Sequence, residues 1–185
     1  MTDNYEPLAP NPAVVEDIRK IRQARLYTPD PVPSDTIDTL LEIARWTGSA
    51  RNTQPWHFIV IEDKETLAKL AALRTPINWV ADAPLAIATV LDGLDPQEAY
   101  DEGRVTERLL IAARLLGLGG GIAWFGDAAQ EAEGKRILGI PEDRTARQVV
   151  VIGKPVTTRD HRPNRNTPGR KPREETISRE RYGAR

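Results

Sequence analysis

Residues 48–56 read Gly-Ser-Ala-Arg-Asn-Thr-Gln-Pro-Trp, a polar stretch between a predicted amphipathic helix and a predicted apolar strand. Small and amide side chains are concentrated where packing requires only a turn. Ser49, Asn52 and Gln54 supply several hydrogen-bond donors and acceptors. Pro55 stiffens the exit from the stretch. A polar loop held between two rigid elements is a typical ligand site, so we expect one here.

The flanking sequence combines helical and strand patterns. Helices are predicted near residues 12–25, 34–46, 63–73, 95–116 and 127–139, and strands near 57–62, 84–91, 119–125 and 148–152. The predicted caps are Ser34, Asp63, Asp95 and Asp127 at helix starts and Gly48, Gly117 and Gly139 at helix ends. Two helices followed by strands that alternate with helices predict a three-layer α/β or α+β domain.

Composition limits the chemistry. The 185-residue chain has the length of one domain and contains no cysteine, which excludes disulfides, thiolate nucleophiles and cysteine-ligated iron–sulfur clusters. Its two histidines, His57 and His161, do not stand in a metal-ligand spacing, so we expect no metal. Redox chemistry in such a chain requires an organic cofactor.

The sequence also bears on location. The longest apolar-leaning run, residues 109–125, is interrupted by Arg114 and four glycines, so it does not predict a membrane span. The N-terminal stretch is acidic and rich in proline rather than basic and then apolar, unlike a signal peptide. A cytoplasmic location is the expectation.

Charge is distributed unevenly along the chain. Residues 154–185 hold ten basic and four acidic residues, a formal charge of +6, which leaves −7 for the rest of a chain whose net charge is −1. Four prolines and no apolar periodicity after residue 154 predict an extended arm, with residues 1–155 as the core and 156–185 as an arm of the same domain. A basic arm can bind nucleic acid or pack on the acidic surface of a second copy.

Two further segments carry candidate site residues. Arg22 and Arg25 lie three apart at the end of the first predicted helix, so both can face one side and grip a phosphate or a ring edge. The same spacing fits a solvated basic face. Residues 117–121, Gly-Leu-Gly-Gly-Gly, lie between a helix and a strand, the reverse of the order in a dinucleotide-binding loop. Glycines there would let backbone approach a flat ligand.

Two stretches resemble signatures of the nitroreductase family. Residues 48–56 resemble Pro-Ser-x-x-Asn-x-Gln-Pro-Trp, with Gly48 in place of the leading proline. Residues 21–27 resemble Arg-Arg-Ser-x-Arg-x-Phe/Tyr, with Ile21 and Gln23 in place of the first arginine and the serine. Gln23 retains the ability to donate a hydrogen bond.

Two more segments extend the resemblance. Residues 117–121 are similar to the family's Gly-Leu-Gly-rich segment, and Arg170, with Lys171 as the second candidate, matches a basic residue before a Pro–acidic segment near the C-terminus. The motifs occur in family order, and the resemblance covers about residues 14–182.

The resemblance implies an FMN site at the interface of a homodimer. Arg22 and Arg170 would reach the phosphate, Arg25 the pyrimidine edge of the ring, and the backbone of residues 122–125 the reactive nitrogen N5. Ser49 and Asn52 would contact the flavin from the second subunit. The cofactor-binding residues expected on this basis are Arg22, Gln23, Arg25, Ser49, Ala50, Asn52, Gln54, Gly120, Gly121, Ile122, Ala123, Trp124, Arg170 and Lys171.

The resemblance also implies a fold and an activity. The fold would be an α+β three-layer sandwich with a mostly antiparallel sheet and an arm that wraps the partner subunit. The activity would be ping-pong hydride transfer from NADH or NADPH to small electron-poor acceptors such as nitroaromatics and quinones. No catalytic side chain is needed, because the flavin carries the chemistry and Arg25 tunes it.

Two alternatives stay open. A flavoenzyme of the same fold could perform dehalogenation or flavin fragmentation instead. A basic-armed nucleic-acid-binding module is less favoured, because the arm lacks interleaved aromatic residues and no recognition helix is visible. We therefore expect no nucleic acid, membrane or metal partner.

Overall fold

Four antiparallel strands form the centre of the fold in the computed structural model, which describes residues 9–156 and 169–184. The strands are β1 (Trp56–Ile61), β2 (Leu85–Leu91), β3 (Gly119–Trp124) and β4 (Gln148–Gly153). The helices are α1 (Pro12–Lys20), α2 (Ser34–Arg45), α3 (Lys64–Ala71), α4 (Pro96–Leu115), α5 (Ala128–Leu138) and α6 (Arg173–Thr176). Short 3-10 segments cover Ala50–Asn52 and Thr75–Asp82.

The strand order is β1-β2-β4-β3, and every neighbouring pair is antiparallel. The central strands β2 and β4 are buried along their whole length, as their continuous apolar sequences predict. β1 and β3 are the two edges. The register sets Ile61, Ala86, Val151 and Gly121 in one row across the sheet.

Each face of the sheet carries its own hydrophobic core. On one face, Leu40 of α2 and Leu109 of α4 pack with Ile87 and Ile152 from the central strands. On the other face, residues of α3, the second 3-10 segment and α5 surround Phe125. The predicted three-layer α+β sandwich with an antiparallel sheet is therefore confirmed.

Most of the predicted boundaries hold to within a few residues. Asp63, Asp95 and Asp127 each accept a hydrogen bond from a backbone N–H in the first turn of α3, α4 and α5, respectively. Asp127 and Gln130 form the predicted capping box. Gly139 ends α5 with a left-handed φ of 66°. Local capping chemistry was sufficient to locate these helices.

The prediction for the first helix was wrong at its end. α1 stops at Lys20, and residues 21–27 leave the helix in an extended path, starting at Ile21 with φ −53° and ψ 131°. Tertiary bonds to the sheet replace helical ones here, beginning with the bond from Ala24 N–H to Gly120 O at 2.8 Å. Arg22 and Arg25 are consequently not on a helix, and the helical argument that placed them on one side does not apply.

Two smaller expectations also differ. Pro33, not Ser34, is the N-cap of α2, and no side chain caps that end. The predicted arm contains α6, a single helical turn with all four residues exposed. None of the helices within the described residues has the length and hydropathy of a membrane span.

Buried polar contacts attach α4 to the start of β4. Glu102 Oε2 lies 2.6 Å from Arg147 Nη1, and both side chains are largely buried. Gln148 Nε2 donates to Thr106 Oγ1 at 2.8 Å. Burial raises the pKa of Glu102, although the Arg147 guanidinium acts in the opposite direction.

The raised pKa of Glu102 predicts a stability that depends on pH. Above the ordinary glutamate pKa of 4.5, the folded protein holds this proton more tightly than the unfolded chain, so the free energy of unfolding falls as pH rises through the folded-state pKa. Glu102→Gln cannot titrate. We expect the free energy of unfolding of the parent minus that of Glu102→Gln, measured by urea unfolding, to decrease as pH rises above about 4.5.

Glu107→Gln removes an exposed carboxyl from the same helix and controls for the loss of one charge. A difference between parent and Glu102→Gln that stays constant or grows with pH would show that burial does not favour the protonated form.

Candidate functional site

The segment 21–27 lies along the outer edge of β3. Ala24 N–H donates to Gly120 O at 2.8 Å, and Ile122 N–H donates to Gln23 Oε1 at 3.3 Å. These contacts bring the first basic motif beside the glycine-rich motif. We call residues 21–27 together with β3 the edge half-site.

The glycines of β3 are needed by this contact. A Cβ on Gly121 would collide with Ala24 O, and one on Gly119 would lie 2.8 Å from Ala24 Cβ. A Cβ on Gly120 would lie 2.6 Å from Leu110 on α4. The glycines thus allow close packing of β3 against residues 21–27 and α4 of the same chain. The sequence interpretation had explained them only by the approach of a ligand.

Tyr27 anchors the edge half-site in the core. Its side chain is buried, and its hydroxyl lies 2.6 Å from Ala24 O and 3.2 Å from Val151 O, to which it can donate. Burial raises the pKa of Tyr27, while the nearby Arg25 charge acts in the opposite direction. The phenol therefore remains a protonated donor that holds the turn between Ala24 and Tyr27 on the sheet.

The two arginines of this half-site are exposed. Arg22 Nη1 donates to Ile21 O at 2.7 Å and to Arg19 O at 3.3 Å, so it partly caps the carbonyl end of α1. Its Nε and Nη2 groups make no hydrogen bond to another described residue, so these donors can bind an anion.

On the opposite edge of the sheet, residues 48–54 precede β1. Ser49 Oγ accepts a hydrogen bond from Gln54 N–H at 2.8 Å, and Gln54 Nε2 lies 3.4 Å from Asn52 O. Arg51, Asn52 and Gln54 adopt left-handed backbone conformations, with φ of 52°, 57° and 51°. Such conformations are costly for residues other than glycine and cluster at ligand sites. We call residues 48–54 the loop half-site.

The sequence interpretation missed the residues that hold this loop. Arg108 Nη1 donates to Trp46 O at 2.8 Å, and Arg104 Nη1 donates to Gly48 O. Both arginines lie on α4, more than fifty positions further along the chain. Their spacing of four on a helix was visible, but the sequence offered no sign of the partner carbonyls.

Within a single chain, the two half-sites lie far apart. They flank β3 and β1, which are separated by three strand intervals, or about 14 Å. Gly121 is in the row of Ile61, five residues along β1 from Trp56, which adds about 16 Å along the strands. Residues 22–25 are therefore brought together with residues 120–122, and residues 49–54 lie across the sheet, beyond the other end of β1. Ala123 is in the row of Ile59, three residues from Trp56, so the far end of β3 is separated from the loop half-site mainly by the width of the sheet.

The C-terminal candidates lie after a gap in the described chain. Arg170 and Lys171 are exposed, and no hydrogen bond or ion pair joins either of them to another residue within 9–156 or 169–184. In the same ranges, no group of three or more acidic or histidine side chains could hold a metal ion.

Known proteins are similar to this chain in sequence and in fold. A model of the nitroreductase family matches residues 18–90, which include both the basic motif and the loop half-site. A protein of Archaeoglobus fulgidus with the provisional name NADH dehydrogenase/NAD(P)H nitroreductase is 34% identical over 147 residues, 75% of this chain and 83% of that protein. The chain belongs to the nitroreductase family.

Other relatives of the family agree. A Methanothermobacter thermautotrophicus protein of the same provisional name is 34% identical over 149 residues, 77% of each chain. The structure of an FMN-dependent nitroreductase from Clostridium difficile R20291 superposes with a TM-score of 0.78 at 21% identity, covering 91% of this chain and 99% of that one. The predicted family, fold and oxidoreductase class are confirmed.

The role of Tyr27 can be tested directly. Tyr27→Phe removes the donor shared by Ala24 O and Val151 O, so we expect a loss of about 1–2 kcal/mol in the free energy of unfolding. Hydrogen exchange at the Ala24 amide should also accelerate, because that amide bonds to Gly120 O in the same turn.

Tyr100→Phe makes the same chemical change at an exposed tyrosine and should alter stability by less than about 0.5 kcal/mol. Equal effects of the two substitutions would show that the buried hydroxyl does not anchor the edge half-site.

Proposed function

We propose that this nitroreductase-family chain is an FMN-dependent oxidoreductase that works as a homodimer, with each FMN bound between the edge half-site of one copy and the loop half-site of the other. The observation that carries the proposal is the separation of the two half-sites in one chain. A second copy is the simplest way to bring both motifs to one ligand.

The edge half-site fits a flat heteroaromatic ring. Alternation along β3 turns the backbone N–H and C=O groups of Gly120, Ile122 and Trp124 toward the outer edge of the sheet. Ala24 bonds to Gly120 O, and Gln23 bonds to Ile122 N–H. Neither Ile122 O nor Trp124 N–H bonds to another described residue. These groups can meet the acceptors and donors on a ring edge, which supports residues 120–124 as flavin contacts.

The loop half-site fits the same ligand. Asn52 and Gln54 are exposed amides, and Ser49 can still donate its own hydroxyl proton while accepting from Gln54 N–H. The left-handed conformations point to a loop shaped for binding rather than for packing. We assign Ser49, Ala50, Asn52 and Gln54 to the flavin of the partner copy.

Arginine and lysine side chains supply the positive charge for a phosphate. Arg22 belongs to the edge half-site, and Arg170 or Lys171 would join it from the arm. Charge-assisted hydrogen bonds of this kind contribute about 1.5–3 kcal/mol each, so two of them are sufficient to matter for cofactor retention. We assign Gln23 and Arg25 to the ring, where the Arg25 guanidinium supplies a fixed positive charge.

Bound FMN would supply the redox chemistry of the reaction, a hydride transfer from NADH or NADPH followed by two-electron reduction of an electron-poor acceptor such as a nitroaromatic or a quinone. The chain's own residues bind and orient the ring and bias its electrostatics. Arg25 favours electron gain because a preorganised positive charge stabilises developing negative charge. No acid–base side chain is required for this role, and none is assigned.

Exposed apolar side chains support the proposed dimer. Val15 of α1 and Leu115 of α4 are 66% and 50% exposed, and the Asp17–Arg114 ion pair at 3.0 Å joins the same two helices. Such a surface favours a protein partner. We propose residues 1–155 as the core and 156–185 as an arm of the same domain, whose formal charge of +5 (nine basic and four acidic residues) complements the acidic core of a second copy.

Cofactor extraction and reduction test the function. Protein purified with its flavin, or reconstituted with an equal mixture of FMN and FAD, should release FMN on heating, because the basic residues suit one phosphate and no dinucleotide-binding loop is present in the sequence. NADH or NADPH should bleach the bound flavin, and a quinone or nitroaromatic should restore the colour. Release of FAD, or no flavin binding after reconstitution, would contradict the proposal.

A mixing experiment tests the shared site. Arg25→Ala and Asn52→Ala should each impair acceptor reduction, because each damages a different half of every site. After subunit exchange in an equal mixture, half of the dimers carry one intact site of two, so activity should recover to about one quarter of the parent value.

The double variant Arg25→Ala/Asn52→Ala mixed with itself controls for exchange alone and should show no recovery. A mixture of the single variants that stays as inactive as its components, while mass spectrometry detects mixed dimers, would show that both half-sites serve one flavin within a single copy.

A further inference from the structure

Two arginines on α4 hold the backbone that leads into the loop half-site. Arg104 and Arg108 are four residues apart, so their side chains lie on one face of the helix. Arg108 Nη1 donates to Trp46 O at 2.8 Å, and Arg104 Nη1 donates to Gly48 O.

These bonds are not ordinary helix caps. α2 ends at Arg45, and its last turn is already closed by bonds from Trp46 N–H to Glu42 O and from Thr47 N–H to Ala44 O. The carbonyls of Trp46 and Gly48 lie beyond that turn. The arginines therefore fix the segment that follows the helix.

A buried carboxylate orients Arg104. Asp101 lies one turn earlier on α4, with its side chain only 4% exposed and Oδ1 3.3 Å from Arg104 Nη1. Because a buried carboxylate strongly favours a paired cation, Asp101 restrains the guanidinium beneath the loop.

Gly48 makes room for this contact. A Cβ at Gly48 would lie 2.9 Å from Arg104 Nη2, the end of a flexible side chain, so a larger residue at position 48 would displace the guanidinium. Residue 48 is also where the sequence departs from the leading proline of the family signature. Glycine in place of that proline therefore leaves space for the Arg104 guanidinium.

The loop needs external support because its own conformation is unfavourable. Three residues between Gly48 and Pro55 have left-handed φ angles. At the far end, Pro55 is buried and its carbonyl accepts from Asp92 N–H at 3.0 Å. Arg104 and Arg108 provide the corresponding fixation at the near end.

We infer that Arg104 and Arg108 are positioning residues that hold the loop half-site in its binding conformation before the ligand arrives. The expected consequence for FMN affinity rests on the function proposed above. The consequence for the loop itself does not, and the experiment separates the two.

The first measurement is hydrogen exchange in the FMN-free protein. The amides of Asn52, Thr53 and Gln54 bond to Ser49 O, Ala50 O and Ser49 Oγ, respectively. In Arg104→Gln and in Arg108→Gln, we expect exchange at these three amides to accelerate by about tenfold while exchange in β4 is unchanged.

Arg45→Gln is the matched control. Arg45 lies at the end of α2, pairs with Glu42 at 2.6 Å and donates no hydrogen bond to the loop half-site. It removes the same charge close to the same loop and should leave exchange at residues 52–54 within about twofold of the parent.

The second measurement is FMN affinity by fluorescence titration. Arg104→Gln should raise the dissociation constant about tenfold, and Arg45→Gln should change it less than about twofold. Arg104→Lys, which keeps the charge and one donor toward Gly48 O, should fall between the parent and Arg104→Gln in both measurements. If Arg104→Gln fails to fold because Asp101 loses its partner, the double variant Asp101→Asn/Arg104→Gln is used in its place, because it also removes the unpaired carboxylate.

The outcomes are distinguishable. Loop exchange in Arg104→Gln and Arg108→Gln that matches the parent overturns the inference, whatever happens to FMN. Acceleration spread evenly over the loop and β4 also overturns it, because the arginines would then stabilise the whole fold. A parent that binds no FMN refutes the proposed function, and the exchange result still decides the role of the arginines.

Discussion

The fit of residues 22–27 against the edge of β3 is the contact on which the rest of the architecture depends. It requires glycine on β3, because a Cβ on Gly121 would occupy the space of Ala24 O. The same segment continues along the end of β4, where Thr28 N–H bonds to Lys154 O at 2.9 Å and Val156 N–H to Leu26 O at 3.0 Å. One stretch of backbone thus covers a sheet edge, carries the basic motif and sets where the C-terminal arm leaves the core.

Two adjacent buried carboxylates on α4 form ion pairs with different arginines. Asp101 orients Arg104 toward the loop half-site, and Glu102 pairs with Arg147 at the start of β4. Neighbouring helical positions point about 100° apart, so the helix can reach a loop on one side and the sheet on the other. Through these two pairs, α4 connects the segment that enters the loop half-site to the start of β4.

The two half-sites differ in how they are stabilised. The edge half-site is backbone paired to backbone, with the buried Tyr27 hydroxyl as its anchor. The loop half-site is strained locally and is held from outside by side chains of α4. A ligand shared between them would contact one surface held by backbone pairing and another whose shape depends on side chains of α4.

The sequence by itself determined the strands, the capped helices α3, α4 and α5, and the family, because these depend on local periodicity, capping side chains and short signatures. It misplaced the end of α1, since the helical propensity of residues 21–25 is overridden by pairing with β3. Only the tertiary structure decided that the two motifs lie on opposite edges of one sheet, that the glycines serve the chain's own packing, and that Arg104 and Arg108 reach Gly48 and Trp46. Each of these is a contact between residues far apart in sequence, and neither periodicity nor composition specifies which distant groups will meet.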